Sequence, residues 1–109
     1  MDALAVFFDE AVVWHTPGRH PLAGTYVGKE ETFSSFAEEF ERSSGTYSVE
    51  LRDAFASDEH VVALLHATAH RRRERLSQDY VIVFHMHDGK VDAAWEIWKD
   101  QAGVDEFWS

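Results

Sequence analysis

Histidines, tyrosines and a few late acids are the residues of this chain whose types and spacing could move a proton. His15 follows the apolar run Ala11–Trp14 and stands just before Pro17-Gly18. A neutral imidazole accepts a proton near pH 7, and an apolar pocket tends to keep it neutral. The competing reading is a strand histidine bonded to the following loop. Tyr26 and Tyr80 carry phenols that could donate to a developing oxyanion in a dry pocket, or bond backbone at the edge of the core. The chain has no cysteine, no G-x-S-x-G elbow and no serine beside a histidine in a recognisable frame, so nucleophilic catalysis has no support in the sequence. Walker and dinucleotide loops are absent too. His85 and His87 point the same way with His60 expected across from His87, yet there is no helical H-x-x-x-H pair and no obvious carboxylate behind them. Neither a metal nor a cofactor is expected.

The element that must position these groups is the stretch Leu76–Trp98. Two runs of alternating β-branched and aromatic residues flank Asp88-Gly89, a strong hairpin signal. A two-residue turn pairs His87 with Lys90, His85 with Asp92, Val83 with Ala94 and Val81 with Glu96. One face then carries Tyr80, Ile82, Phe84, Met86, Val91, Ala93, Trp95 and Ile97. Asp79 and Glu96 fall on the other, mixed face, toward solvent or a partner. A slip of one residue would exchange the faces and bring Glu96 into the hollow as a much stronger acid–base candidate.

The remaining elements follow from periodicity. Asp2–Glu10 reads as a short helix with Asp2 as N-cap, burying Leu4, Phe7 and Phe8; Ala11–His15 reads as a strand, and Thr16–Thr25 as a loop. Tyr26-Val27 adds a brief strand. Lys29–Arg42 is the clearest helix, with Phe33, Phe36, Ala37 and Phe40 at i, i+3, i+4 and i+7 and its glutamates elsewhere on the wheel. Thr46–Ala56, His60–Arg71, Leu76–His87 and Lys90–Trp98 form an antiparallel meander, with Arg71 pairing with Leu76. That register adds Val61, Ala63, Leu65, Ala67 and Ala69 to the apolar face. Asp100–Ser109 is a short helix at most. The fold class is therefore α+β: long strands curling into a cone with the Phe-rich helix across its mouth. The second face keeps Val62, Leu64, Val81 and Val83, which a two-fold homodimer would cover.

Composition bounds the partners. The 109 residues suffice for a single domain spanning 1–109, and 45% hydrophobic with 14% aromatic content makes it globular. Ten basic against twenty acidic residues give a formal charge of −10, which disfavours nucleic acid and anionic membranes. The basic run Arg71-Arg72-Arg73-Glu74-Arg75 reads as a solvated turn rather than a phosphate loop. The N-terminal stretch has the pattern of neither a signal peptide nor a transmembrane helix, so a cytoplasmic location is the default expectation.

Three stretches, VVWHTPGRHPLAGTYVGKEETFSSF, VFHMHDGKVDAAWE and DQAGVDEFW, resemble the SnoaL-like branch of the NTF2-like, ketosteroid-isomerase-like superfamily. The resemblance implies a cone with a deep hydrophobic pocket, usually a dimer, and no single reaction: isomerases, polyketide cyclases, epoxide hydrolases and non-catalytic members share the fold. It places His15 where the isomerases hold their carboxylate base, and Tyr80 near their second acidic group. The family normally opens with a long helix ahead of the segment matching Asp2-Ala3-Leu4. The sequence opens at Met1, so that helix, which supplies the isomerases' oxyanion tyrosine, is expected either to be lost or to lie ahead of a truncated start.

Three readings stay open. The first is a cofactor-independent acid–base enzyme for a small hydrophobic molecule, with His15 as base, Tyr80 and Tyr26 polarising an oxygen, and a pocket of Trp14, Phe33, Phe36, Phe40, Leu65, Ile82, Phe84, Trp95 and Ile97. The second is a binding module that uses the same cone without turnover. The third is a domain whose task is dimerisation.

Overall fold

The computed structural model describes residues 6–109. Strand β1 (Phe8–Thr16) leads to β2 (Gly24–Val27), helix α1 (Lys29–Arg42), strands β3 (Ser48–Ala56), β4 (His60–Arg71), β5 (Glu74–His87) and β6 (Lys90–Trp98), and helix α2 (Gln101–Trp108). One curved sheet has the order β2-β1-β6-β5-β4-β3. Its pairs are antiparallel except β1 with β6, which run parallel. The architecture is the α+β one expected, with both helices lying on one side of the sheet, here called the inner face. The helix expected over Asp2–Glu10 is corrected in part: Phe8, Asp9 and Glu10 are strand, and residues 2–5 lie outside the described residues.

The core lies between the inner face and the helices. It gathers Val12 and Trp14 of β1, Ala63, Leu65, Ala67 and Ala69 of β4, Leu76, Tyr80 and Ile82 of β5, Ala94 and Trp98 of β6, and Val104, Phe107 and Trp108 of α2. Helix α2 lies closest to β5 and β6. Asp100 caps α2, its carboxylate accepting the Gly103 N–H at 3.1 Å. Arg71, the first residue of the basic run, donates to the Phe107 and Ser109 carbonyls at the other end of α2, where cations suit the helix dipole.

Two registers differ from expectation, with opposite consequences. At the β4–β5 hairpin Arg71 pairs with Glu74 and Ala69 with Leu76, because the turn is the two-residue Arg72-Arg73, with Arg72 at φ +59°. This offset of two residues slides the strands but leaves every side chain on its expected face. At the β5–β6 hairpin the turn is as expected, His87 pairing with Lys90, but a bulge at Asp92 intervenes. Beyond it His85 pairs with Ala93, Phe84 with Ala94, Val83 with Trp95 and Ile82 with Glu96. One extra residue reverses the faces. The inward orientation expected of Ala93, Trp95 and Ile97 is therefore corrected. Ala94, Glu96 and Trp98 point inward, while Trp95 and Ile97 stand on the outer face at 39% and 56% exposure.

Helix α1 is turned relative to its phenylalanine stripe. Thr32 and Ser35 are its buried residues, Phe33, Phe36 and Glu39 are half-buried, and Phe40 is 54% exposed, its ring beside Gly45. The sheet-facing row is thus Thr32, Ser35, Phe36 and Glu39, which carries a carboxyl toward the core.

Candidate active site on the inner face

Glu96 is the centre of the inner face, a carboxylate only 8% exposed amid aromatic side chains. Three donors hold it. Trp14 Nε1 donates to Oε2 at 2.7 Å, Thr16 Oγ1 to the same oxygen at 3.3 Å, and Trp98 Nε1 to Oε1 at 3.0 Å. The parallel pairing of β1 with β6 places Trp14 beside Ala94, and strand alternation puts Trp98 on the same side as Glu96. Burial raises the Glu96 pKa above the usual carboxylate range, and the three hydrogen bonds only partly oppose it.

Glu39 reaches toward this group from α1. Burial and then the charge of Glu96 push its carboxyl well above the ordinary value. Each carboxyl disfavours ionisation of the other, the relation from which acid–base pairs are built. Tyrosines complete the polar lining. Tyr80 stacks on Trp98 with ring centroids 3.9 Å apart, and burial followed by the Glu96 charge raises its pKa. Tyr47 is raised further by burial and by Glu39, and its phenol interacts with that of Tyr80. Tyr26 is raised by burial, then by Glu39 and Glu38. All three stay protonated donors at neutral pH. Tyr26 already donates to the Leu22 carbonyl, the backbone bond that was one of its two readings.

The expected pocket residues divide. Trp14, Phe33, Phe36 and Phe84 form a continuous aromatic cluster: Phe36 meets Trp14 edge-on at 4.8 Å and Phe84 meets it at 6.0 Å, while Phe33 meets Phe36 at 5.7 Å. Leu65, Ile82 and Tyr80 join them on the inner face. Phe40, Trp95 and Ile97 do not.

His15 does not point to the inner face, which corrects the inward orientation expected of a base in the cone. It pairs with Trp95, and strand alternation sends both rings to the outer face, where they stack at 5.2 Å and 6°. Thr25 Oγ1 lies 3.3 Å from its Nδ1. His15 nevertheless lines a polar cavity of about 490 Å³ at the end of β1, together with Thr16, Arg19, His20, Trp95 and Glu96. His20 is buried there. Its Nδ1 accepts the Leu22 N–H at 3.1 Å, which leaves Nε2 carrying the proton without a partner among the described residues. Burial lowers its pKa against the opposing influence of Asp105. Among the described residues no three His, Asp or Glu side chains converge as metal ligands would.

Sequence reasoning missed Glu39, Tyr47 and His20. A helical wheel assigns the α1 glutamates to solvent, and only the rotation of the helix reverses that for Glu39. Glu96 was legible solely as the outcome of a register slip.

The two-layer α+β architecture is that of the NTF2-like class, shared by solved NTF2-like and ketosteroid isomerase-like proteins. Within that class the chain belongs to the SnoaL-like domain family, whose model matches residues 1–94. The chain is similar to Bal32a from a soil-derived mobile gene cassette at 35% identity and TM-score 0.96, covering 100% of this chain and 84% of that one. An uncharacterised protein of Mycobacterium tuberculosis is 28% identical over 94 residues, 85% of this chain and 72% of that protein. TerC, co-crystallised with polyporic acid, shares the fold at 20% identity and TM-score 0.83, with 97% and 83% of the two chains covered. No helix among the described residues is long and apolar enough to cross a membrane.

Proposed function

We propose that the chain is a cofactor-independent acid–base enzyme of the isomerase or cyclase type, acting on a small hydrophobic carbonyl compound bound against the inner face. The observation that carries this reading is Glu96, a carboxyl buried on an aromatic wall, where burial raises its pKa above the ordinary value. Ionised, Glu96 takes a proton from carbon next to the substrate carbonyl. The oxyanion that develops accepts hydrogen bonds from the phenols of Tyr80 and Tyr47, which low dielectric strengthens. The proton then returns to a different carbon, or the enolate attacks within the same molecule. Glu39 holds the second proton of the pair. The Trp14 and Trp98 N–H groups fix the carboxylate rather than the substrate. The base role that the resemblance gave His15 passes to Glu96, and His15 guards the polar mouth instead. TerC's ligand, polyporic acid, is consistent with an aromatic, oxygenated substrate class.

A second reading, a binding module without turnover, is favoured by one observation: all three donors around Glu96 are already engaged with it, as in a structural anchor. Turnover of enones, aldol-type precursors and epoxides by wild type, Glu96→Gln, Tyr80→Phe and His15→Gln, with binding measured in parallel, separates the two. Binding by wild type with no measurable rate on any of them refutes the enzyme. A rate lost in Glu96→Gln and kept in His15→Gln supports it.

The outer face carries two apolar rows across the sheet, Phe55, Val62, Val83 and Trp95 in one and Leu64, Val81 and Ile97 in the next. A cavity of about 420 Å³ opens over the second row. We propose a two-fold homodimer through these rows. Sedimentation of the intact chain as a monomer at working concentration would refute it.

A further inference from the structure

Beside those apolar rows the outer face turns polar, and there the β4–β5 register assembles a group that the proton chemistry of the inner face does not use. His66 pairs directly with Asp79, and Thr68 with Ser77. His66 Nδ1 lies 2.7 Å from Asp79 Oδ1, and its Nε2 lies 3.1 Å from Ser77 Oγ. Asp79 fixes the tautomer with the proton on Nδ1, which leaves Nε2 free to accept from the serine hydroxyl. Nucleophile, base and orienting carboxylate are thus in the order and at the distances of a Ser-His-Asp hydrolase. Ser77 is exposed, so an acyl donor can reach it.

We propose that Ser77, His66 and Asp79 form a second, acyl-transferring site that hydrolyses small activated esters. Ser77 Oγ attacks the ester carbonyl as its proton passes to His66 Nε2. The carbon–oxygen bond to the leaving group breaks, and the departing phenolate or alkoxide takes that proton. Water then attacks the acyl-serine, gives its proton to His66, and releases the carboxylic acid as Ser77 regains its hydrogen. The substrate class follows from what surrounds the triad. It sits on strands whose backbone N–H groups serve the sheet ladder rather than a concave oxyanion hole, and one such donor is worth roughly 100- to 1000-fold in rate. Only esters with a good leaving group, such as aryl acetates, are then turned over.

The experiment treats the full chain with p-nitrophenyl acetate, follows p-nitrophenolate release, and locates the acyl group by peptide mass spectrometry. The expected result is acetyl on Ser77 in wild type and in Ser48→Ala, an exposed serine of β3 at the far side of β4. Ser77→Ala should abolish that label, and His66→Gln should slow acylation by about 100-fold or more, while both variants unfold at the wild-type temperature. Acylation spread over lysines, or a rate unchanged in Ser77→Ala, overturns the proposal and leaves the three side chains as a cross-strand tie.

Discussion

Replacing Glu39 by glutamine should stabilise the protein, and increasingly so as the pH rises. The folded state holds the Glu39 proton more tightly than the unfolded chain, whose carboxyl titrates near the ordinary value of 4.5. Below that value both states are protonated and nothing is lost. Above it, unfolding releases a proton, so wild-type stability falls as pH climbs toward the folded-state pKa. The slope for one proton is about 1.4 kcal/mol per pH unit. Glutamine copies the shape of the protonated acid and does not titrate. The difference between Glu39→Gln and wild type should therefore start near zero at pH 4.5 and grow by up to about 1.4 kcal/mol for each unit. For a domain of this size a gain of that order moves the melting temperature by roughly 4–8 °C. His20 acts in the opposite sense, because its lowered pKa removes stability as pH falls below 6.5. It is present in both proteins and cancels in the difference. Urea unfolding at four pH values between 5 and 8, with m-values held equal, measures the effect. A difference that is constant with pH, or that favours wild type at pH 8, refutes the raised pKa of Glu39.

Trp14→Phe keeps an aromatic ring but removes the 2.7 Å bond to Glu96 Oε2; it should cost about 1–3 kcal/mol in urea unfolding and raise the Glu96 pKa further, read by carboxyl titration in NMR. Gly18→Ala should lower stability by about 1–3 kcal/mol, since Gly18 sits at φ +111° and a methyl there would run into the Asp105 carboxylate; thermal melting checks it. Trp95→Arg with Ile97→Arg should leave a folded monomer in sedimentation, as both side chains stand exposed on the outer face.

How much the sequence reveals here depends on whether an error is even or odd. The Asp88-Gly89 turn, the long strands and the α1 span are local signals, carried by turn chemistry and periodicity. The β4–β5 turn could be misjudged by two residues without moving any side chain to the other face, so Ala63, Leu65, Ile82 and Phe84 are correctly placed. Asp92 is different. Nothing in its neighbourhood, K-V-D-A-A-W, distinguishes a bulge from a regular strand. Its aspartate meets His85 Nδ1 at 2.5 Å, a contact made only once the strands are paired. Everything from Ala93 to Trp98 inherits the reversal, and with it the identity of the buried acid. The Ser77–His66–Asp79 group escaped for a related reason: its members are eleven and two residues from Ser77 along the chain, and only the observed ladder brings the imidazole to both partners.

The bulge at Asp92 works as a parity device. A chain one residue shorter between Gly89 and Trp95 would keep the same composition of strand and the same turn, yet present two greasy side chains to the interior and banish the acid to the solvent. Acid–base competence in this architecture is then set by counting as much as by chemistry. A relative that preserves the glutamate but loses the inserted residue would keep the letter and forfeit the proton.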